Sequence, residues 1–249
     1  MASAFEDGRF LVMHIDHGYS GGWGTPGFGL SHVNALTNGE LLPVVFSINC
    51  STGYFDRETD PHATIPSNNP VFAEALLRNP NGGAVGVVAG TRVTNTAIND
   101  ILAVGFIDAI WPSTKPNFSL PQVSRRLGDI VDHGKMYMLT KLGIDHQNAI
   151  NHLRLYHAFG DPTQEIWAQN PIQLPPLKDI EVREFELNVH YAADGAEITA
   201  YQESAAGVVA IGRATVVDGV ARMPYVNRPA PGQPILLSAS KDGAVSRRL

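Results

Sequence analysis

A chain of 249 residues with 44% hydrophobic content is long enough for one large self-burying core or two smaller ones, and two domains are expected. Its 18 basic against 24 acidic residues give a net charge of −6, which argues against a basic stripe that neutralises phosphates, so nucleic acid is not an expected partner. The longest apolar runs, such as the one around Val85 to Ala89, fall far short of the roughly 20 residues that span a bilayer, so no membrane span is expected.

The opening residues, Met1 to Arg9, show no basic segment followed by an apolar run, so no secretory signal is read there. The chain enters a strand-like run almost at once, and an upstream part of the natural protein is expected to precede it. Strands are predicted over residues 10–15, 44–48 and 84–89. Each has little internal alternation, as in parallel strands covered on both faces. Helices are predicted over residues 71–77, 98–110, 127–142 and 146–156, with Asn68, Asn69 and Pro70 supplying cap and first-turn chemistry for the first of them. Strands alternating with helices predict an α/β domain, a parallel sheet flanked by helices.

The proline-dense stretch 171–177 cannot continue a helix and predicts an extended linker between two domains. Short β-branched runs follow at 184–191, 197–201, 208–211, 216–217, 220–223 and 235–238, with a turn at Asp218 and Gly219. Strands at that spacing predict a small antiparallel sandwich over residues 178–249.

Two positions stand out for chemistry. His17 ends the first apolar strand and is followed by the glycine-rich stretch from Gly18 to Gly24. Reactive groups gather at the carboxyl ends of parallel strands, and glycine lets backbone N–H groups approach a substrate closely. Cys50, the one cysteine, ends the second strand before Ser51, Thr52 and Gly53. It can form no internal disulfide and so carries no record of redox compartment. A thiol at such a turn is accessible, and an imidazole within reach can take its proton to give the attacking thiolate. Neighbouring parallel strands would bring His17 and Cys50 to one crevice.

An apolar strand ending in His-Gly, then a second ending in Cys 33 positions later, resembles clan CD cysteine peptidases with a caspase-like fold, and more closely the gingipain-type C25 peptidases. The segments Asn69 to Leu77, Gly86 to Thr91, Gly105 to Pro112 and Leu155 to Pro162 also look like family segments. The resemblance implies a caspase-like catalytic domain, incomplete at its N-terminal side, over residues 1–170. An immunoglobulin-like β-sandwich would follow the linker. It implies Cys50 as the nucleophile that forms a thioester acyl-enzyme, His17 as its acid/base partner, and the backbone N–H groups of Gly18 and Cys50 as the oxyanion hole. It further implies a peptide substrate, a secreted or surface-attached parent protein, and no cofactor. The family's imidazole-orienting carboxylate and much of its substrate pocket would come from an upstream segment or a second chain. The family commonly has glycine before the histidine, where this chain has Asp16.

Several residues admit two readings. Tyr19 and Trp23 either line a substrate cleft or anchor packing. Thr91 and Thr94 lie on the rim after the third strand and either touch substrate or belong to a polar loop. The resemblance also implies that Asp56, Glu58 and Asp60 could help bind a calcium ion, but their alternate spacing is equally common in solvated loops, and no metal ligand is assigned. Asp161 and Pro162 predict a turn. Two rival functions remain: a metal-dependent hydrolase using His14, Asp16 and His17, and a noncatalytic adhesion or assembly module on a degraded peptidase fold.

Overall fold

The computed structural model describes residues 1–56, 70–112, 114–115, 117–118, 125–168, 170–205, 207–241 and 243–249. The chain divides into two compact units, Met1–Ala168 and Gln169–Leu249.

The first unit runs α1 (Ala2–Glu6), β1 (Leu11–Ile15), β2 (Gly18–Tyr19), β3 (Gly22–Trp23), β4 (Phe28–Gly29), α2 (Leu30–Asn34), β5 (Val44–Ile48), α3 (Phe72–Arg78), β6 (Gly86–Gly90), α4 (Thr96–Ile110), α5 (Leu127–Leu142), α6 (Gln147–Leu155) and β7 (Tyr156–Gly160). Its main sheet has the order β1-β5-β6-β7, and β2, β3 and β4 form a second small antiparallel sheet. Every residue of β5 and β6 is buried, which is why these strands read as continuous apolar runs. Their side chains divide with period two. Val44, Phe46, Ile48 and Val88 join Leu102, Phe106, Ile130 and Met138 in one core, while Val45, Val87 and Ala89 join Phe5, Phe28, Phe72 and Leu76 in another. Fully burying each large side chain stabilises by about 1.5–3 kcal/mol. Helices α4 and α5 meet closely through glycines, since a Cβ on Gly105 would lie 2.8 Å from Gly134 Cα.

The predicted parallel sheet is in fact mixed. β1, β5 and β6 are parallel, but β7 pairs antiparallel with β6, from Gly90 opposite Tyr156 to Gly86 opposite Gly160. α6 ends at Leu155 and β7 starts at the next residue, beside the carboxyl end of β6. A strand entered at that end has only the reverse direction open to it. The predicted 146–156 helix therefore gives Tyr156 to the sheet. Asn68 and Asn69 lie outside the described residues; the described N-cap of α3 is Val71, whose N–H donates to Glu74 Oε2 at 2.9 Å.

The second unit contains β8 (Ile172–Gln173), β9 (Ile180–Val182), β10 (Glu186–His190), β11 (Glu197–Ser204), β12 (Gly207–Thr215), β13 (Val220–Pro224), β14 (Leu236–Ser240), β15 (Ala244–Val245) and β16 (Arg247–Arg248). The sheets β13-β10-β9 and β12-β11-β14-β16 are antiparallel. Leu187, Val189, Ile198, Ala200, Ile211, Leu237 and Ala239 supply one core. The turn before β13 has φ of 50° at Asp218 and 76° at Gly219, a pair of positive angles that suits a tight hairpin. Residues 171–177 are extended but are not a free tether. β8 pairs in parallel with β15, and Leu174 and Leu177 are buried in the second core.

Candidate active site

In the parallel pairing of β1 with β5, Ile15 lies opposite Ile48. His17 and Cys50 each follow two residues beyond that pair, at one end of the sheet. Gly18 confirms how close the two chain ends run. A Cβ there would collide with Asn49 Oδ1 and lie 2.9 Å from the Cys50 carbonyl oxygen, so only glycine fits. The His17 backbone is held on both sides. Its N–H donates to Asp16 Oδ1 at 2.6 Å, and its carbonyl accepts from the Gly24 N–H at 2.8 Å. The Asp16 carboxylate is thus occupied with the main chain. The imidazole itself is exposed.

Cys50 is partly buried. Directly after it, Ser51 turns the chain with φ 57°, a left-handed conformation that costs a non-glycine residue roughly 1–2 kcal/mol. The turn is tied to the loop after β6 by Ser51 N–H to Arg92 O at 3.0 Å and Gly53 N–H to Gly90 O at 2.9 Å. A bidentate pair reinforces it, with Arg92 donating to both Asp56 oxygens at 3.0 and 2.8 Å while its guanidinium lies 4.7 Å from the Tyr54 ring centre.

The same loop reaches the sulfur. Thr94 N–H donates to Cys50 Sγ at 3.4 Å, and Sγ lies 3.7 Å from Thr94 Oγ1 and 3.8 Å from Thr94 O. Behind Thr94, Asn99 Nδ2 donates to Thr94 Oγ1 at 2.8 Å, and the Tyr156 hydroxyl donates to Asn99 Oδ1 at 2.7 Å. Burial pushes the Tyr156 phenol well above its ordinary range, so it stays a donor. His152 braces the other side of this loop. Its Nε2 accepts from Asn95 N–H at 3.0 Å, and its Nδ1 donates to Asn148 O at 2.7 Å. Burial holds this imidazole below its ordinary pKa, which keeps Nε2 an acceptor.

Residues 1–167 match the sequence model of peptidase family C25. The chain belongs to that family. Gingipain R1 of Porphyromonas gingivalis is 28% identical over 195 residues, 77% of this chain and 18% of that protein. Gingipain R2 of the same organism is 29% identical over 164 residues, 64% of this chain and 20% of that protein. The crystal structure of the Arg specific cysteine proteinase gingipain R superposes with a TM-score of 0.72 at 25% identity, covering 99% of this chain and 54% of that one. The complex of Porphyromonas gingivalis RgpB pro- and mature domains superposes with the same TM-score at 23% identity, covering 100% of this chain and 55% of that one. This C25 chain therefore spans between about a tenth and a fifth of its curated relatives and about half of the solved ones.

The structure separates the tentative substrate contacts. Tyr19 is 52% exposed on the strand after His17. Of the two readings open to Trp23, its place fits the packing one: it is fully buried against His14, Phe28 and Phe72, with its indole N–H donated to Ser47 Oγ at 2.8 Å. Thr91 is buried, with its hydroxyl given to Leu155 O at 3.0 Å. Thr94 touches the sulfur.

The proposed metal set does not converge. Both ring nitrogens of buried His14 are engaged within the protein, and among the described residues no group of three His, Cys, Asp or Glu side chains could hold a metal ion. Of the calcium candidates, Asp56 pairs with Arg92, while Glu58 and Asp60 lie outside the described residues. Asp161 forms the expected turn, its Oδ1 accepting the Thr163 N–H at 2.8 Å. Sequence reasoning missed Asn49, Asn99, Tyr156 and His152. Ser47 and Asn49 did carry a signal, as polar residues in and directly after an otherwise apolar strand.

Proposed function

We propose that this chain is a catalytic part of a cysteine endopeptidase working through Cys50 and His17. The observation that carries the reading is the close approach of the His17-Gly18 backbone to Asn49-Cys50 at one end of the sheet, in a chain of family C25. Cys50 Sγ attacks the scissile carbonyl carbon, and the oxygen that becomes negative is met by the backbone N–H groups of Gly18 and Cys50. Such donors act on charge that develops only in the transition state, each worth about 2.7–4 kcal/mol of barrier. As the tetrahedral adduct collapses, the C–N bond breaks, His17 gives its proton to the leaving amine, and a thioester remains. His17 then takes a proton from water, whose oxygen attacks the thioester and releases the acid and the thiol.

Tyr19 and Thr94 are assigned to the substrate side of this site. Among the described residues the His17 ring makes no hydrogen bond, and an upstream segment or second chain is proposed to bring the carboxylate that orients it. The second unit is read as an immunoglobulin-like sandwich that contacts partners, in a secreted or surface-attached protein. No helix among the described residues is long and apolar enough to cross a membrane.

The test is labelling by peptidyl acyloxymethyl ketones bearing arginine, lysine or alanine beside the ketone. Labelling confined to Cys50, and slowed at least about a hundredfold by His17→Ala, supports the dyad. Equal labelling of His17→Ala and the parent chain overturns it.

A further inference from the structure

Asn49 lies fully buried between the two reactive positions, inside a network of polar side chains. His14 Nε2 lies 3.1 Å from the Thr25 carbonyl, which only accepts, so Nε2 carries the ring proton. His14 Nδ1 is then an acceptor, and it takes the Asn49 Nδ2 hydrogen at 2.9 Å. On its other side Asn49 Oδ1 lies 2.8 Å from Thr52 Oγ1 and 3.1 Å from Ser47 Oγ, and those two hydroxyls lie 2.9 Å from each other, so their two hydrogens serve three contacts, at least one of which Oδ1 accepts. Ser47 Oγ in turn accepts the Trp23 indole N–H at 2.8 Å, and the Trp23 ring stacks on His14 with centroids 4.5 Å apart, which closes the ring of contacts. The amide is held on both sides, so it has one orientation.

That orientation places Oδ1 against Gly18 Cα, within the space a Cβ would need. The Asn49 carbonyl is equally close to Gly90 on the other flank, 2.6 Å from where a Cβ there would stand. One side chain therefore packs against the residue after His17 while its own peptide leads into Cys50. Resting on the dyad reading above, we propose that Asn49, oriented by His14, Ser47 and Thr52, is the positioning residue that sets the Gly18 and Cys50 backbone N–H groups at their mutual spacing. It touches neither the substrate nor the thiol. Its effect is on where the oxyanion donors stand, which matters because a misplacement on the scale of an ångström weakens transition-state contacts.

The experiment compares two electrophiles on the full chain. Iodoacetamide reads only access to the thiol, whereas a peptidyl acyloxymethyl ketone must place its carbonyl oxygen between the two donors. In Asn49→Ala the ketone rate should fall about twentyfold or more, and the iodoacetamide rate should stay within about twofold. His14→Phe keeps the stack on Trp23 but removes the acceptor for Asn49, and should slow the ketone about fivefold with the same selectivity. Asn49→Ala labelled by the ketone at the parent rate overturns the proposal. So does an equal fall of both rates in both variants, which would mark a role in folding alone. His17→Ala separates the two levels: a parent-like ketone rate there removes the dyad and this inference with it, whereas a slow His17→Ala beside a parent-like Asn49→Ala removes only the inference.

Discussion

The two units bury different things. Around Cys50 the first unit buries His14, Ser47, Asn49, Thr52, Thr91 and Asn99, whereas among the described residues the second buries only Asn188 and Gln202 as polar side chains. Burying a polar group costs stability unless it is hydrogen-bonded, so such groups persist where their geometry has a use. The bonds show it. Each buried polar side chain around Cys50 has a partner, while Asn188 Oδ1 is buried with none. The second unit is held mainly by alternating apolar positions, as in β11, where buried Ile198 and Ala200 face inward. The difference teaches that the first unit is organised to hold backbone atoms in place and the second to stay folded.

Four changes break or sharpen that contrast, in descending order of effect on Cys50. Gly18→Ala drives a methyl into Asn49 Oδ1 and toward the Cys50 carbonyl. Ketone labelling should fall about a hundredfold, the scale of a displaced oxyanion donor, measured as second-order rate constants. A rate within threefold of the parent would deny that Gly18 bounds the site. Next, Tyr156→Phe strands the buried Asn99 Oδ1, which should cost about 1–3 kcal/mol in denaturant unfolding. It should also slow labelling several-fold through Thr94, and unchanged labelling would make the chain from Tyr156 to the sulfur purely structural.

The third change is pH. Burial holds His14 and His152 below the ordinary value near 6.5, and each accepts a hydrogen bond that only its neutral form can accept. The unfolded chain therefore binds these protons first. Stability of the first unit should be complete above about pH 6.5 and decline as pH falls through the window below it, ending once the folded imidazoles have themselves titrated. Melting curves between pH 8 and 4.5 check this, and a flat profile across that range would refute it. Last, Ile198→Ala should cost about 2–5 kcal/mol within the second unit yet leave Cys50 labelling unchanged below the melting transition. Slowed labelling there would erase the contrast.

Residues 44–48 are a strand and 127–142 a helix in both the sequence reading and the structure, because period and apolar content within a short window decide such elements. His17 and Cys50 were legible for a related reason: each closes an apolar strand, and each is followed by residues that turn. What lay beyond reach were partners far apart in sequence. His14 and Asn49 are 35 positions apart, Thr94 and Cys50 44, and Asn99 and Tyr156 57.

The same division covers the rest. Trp23 stayed open between cleft and packing because its glycine-rich neighbours are local, while Phe72, which helps bury it, comes from α3. The direction of β7 depends on where α6 delivers the chain, a matter of packing rather than of the residues in β7. The sequence by itself determined the strongly patterned elements, such as the strand 44–48 and the helix 127–142, and that a histidine and the one cysteine would stand at strand ends. Only the tertiary structure decided which buried hydrogen bonds aim those ends, because a hydrogen bond needs a partner within about 3 Å, and folding alone brings distant residues that close.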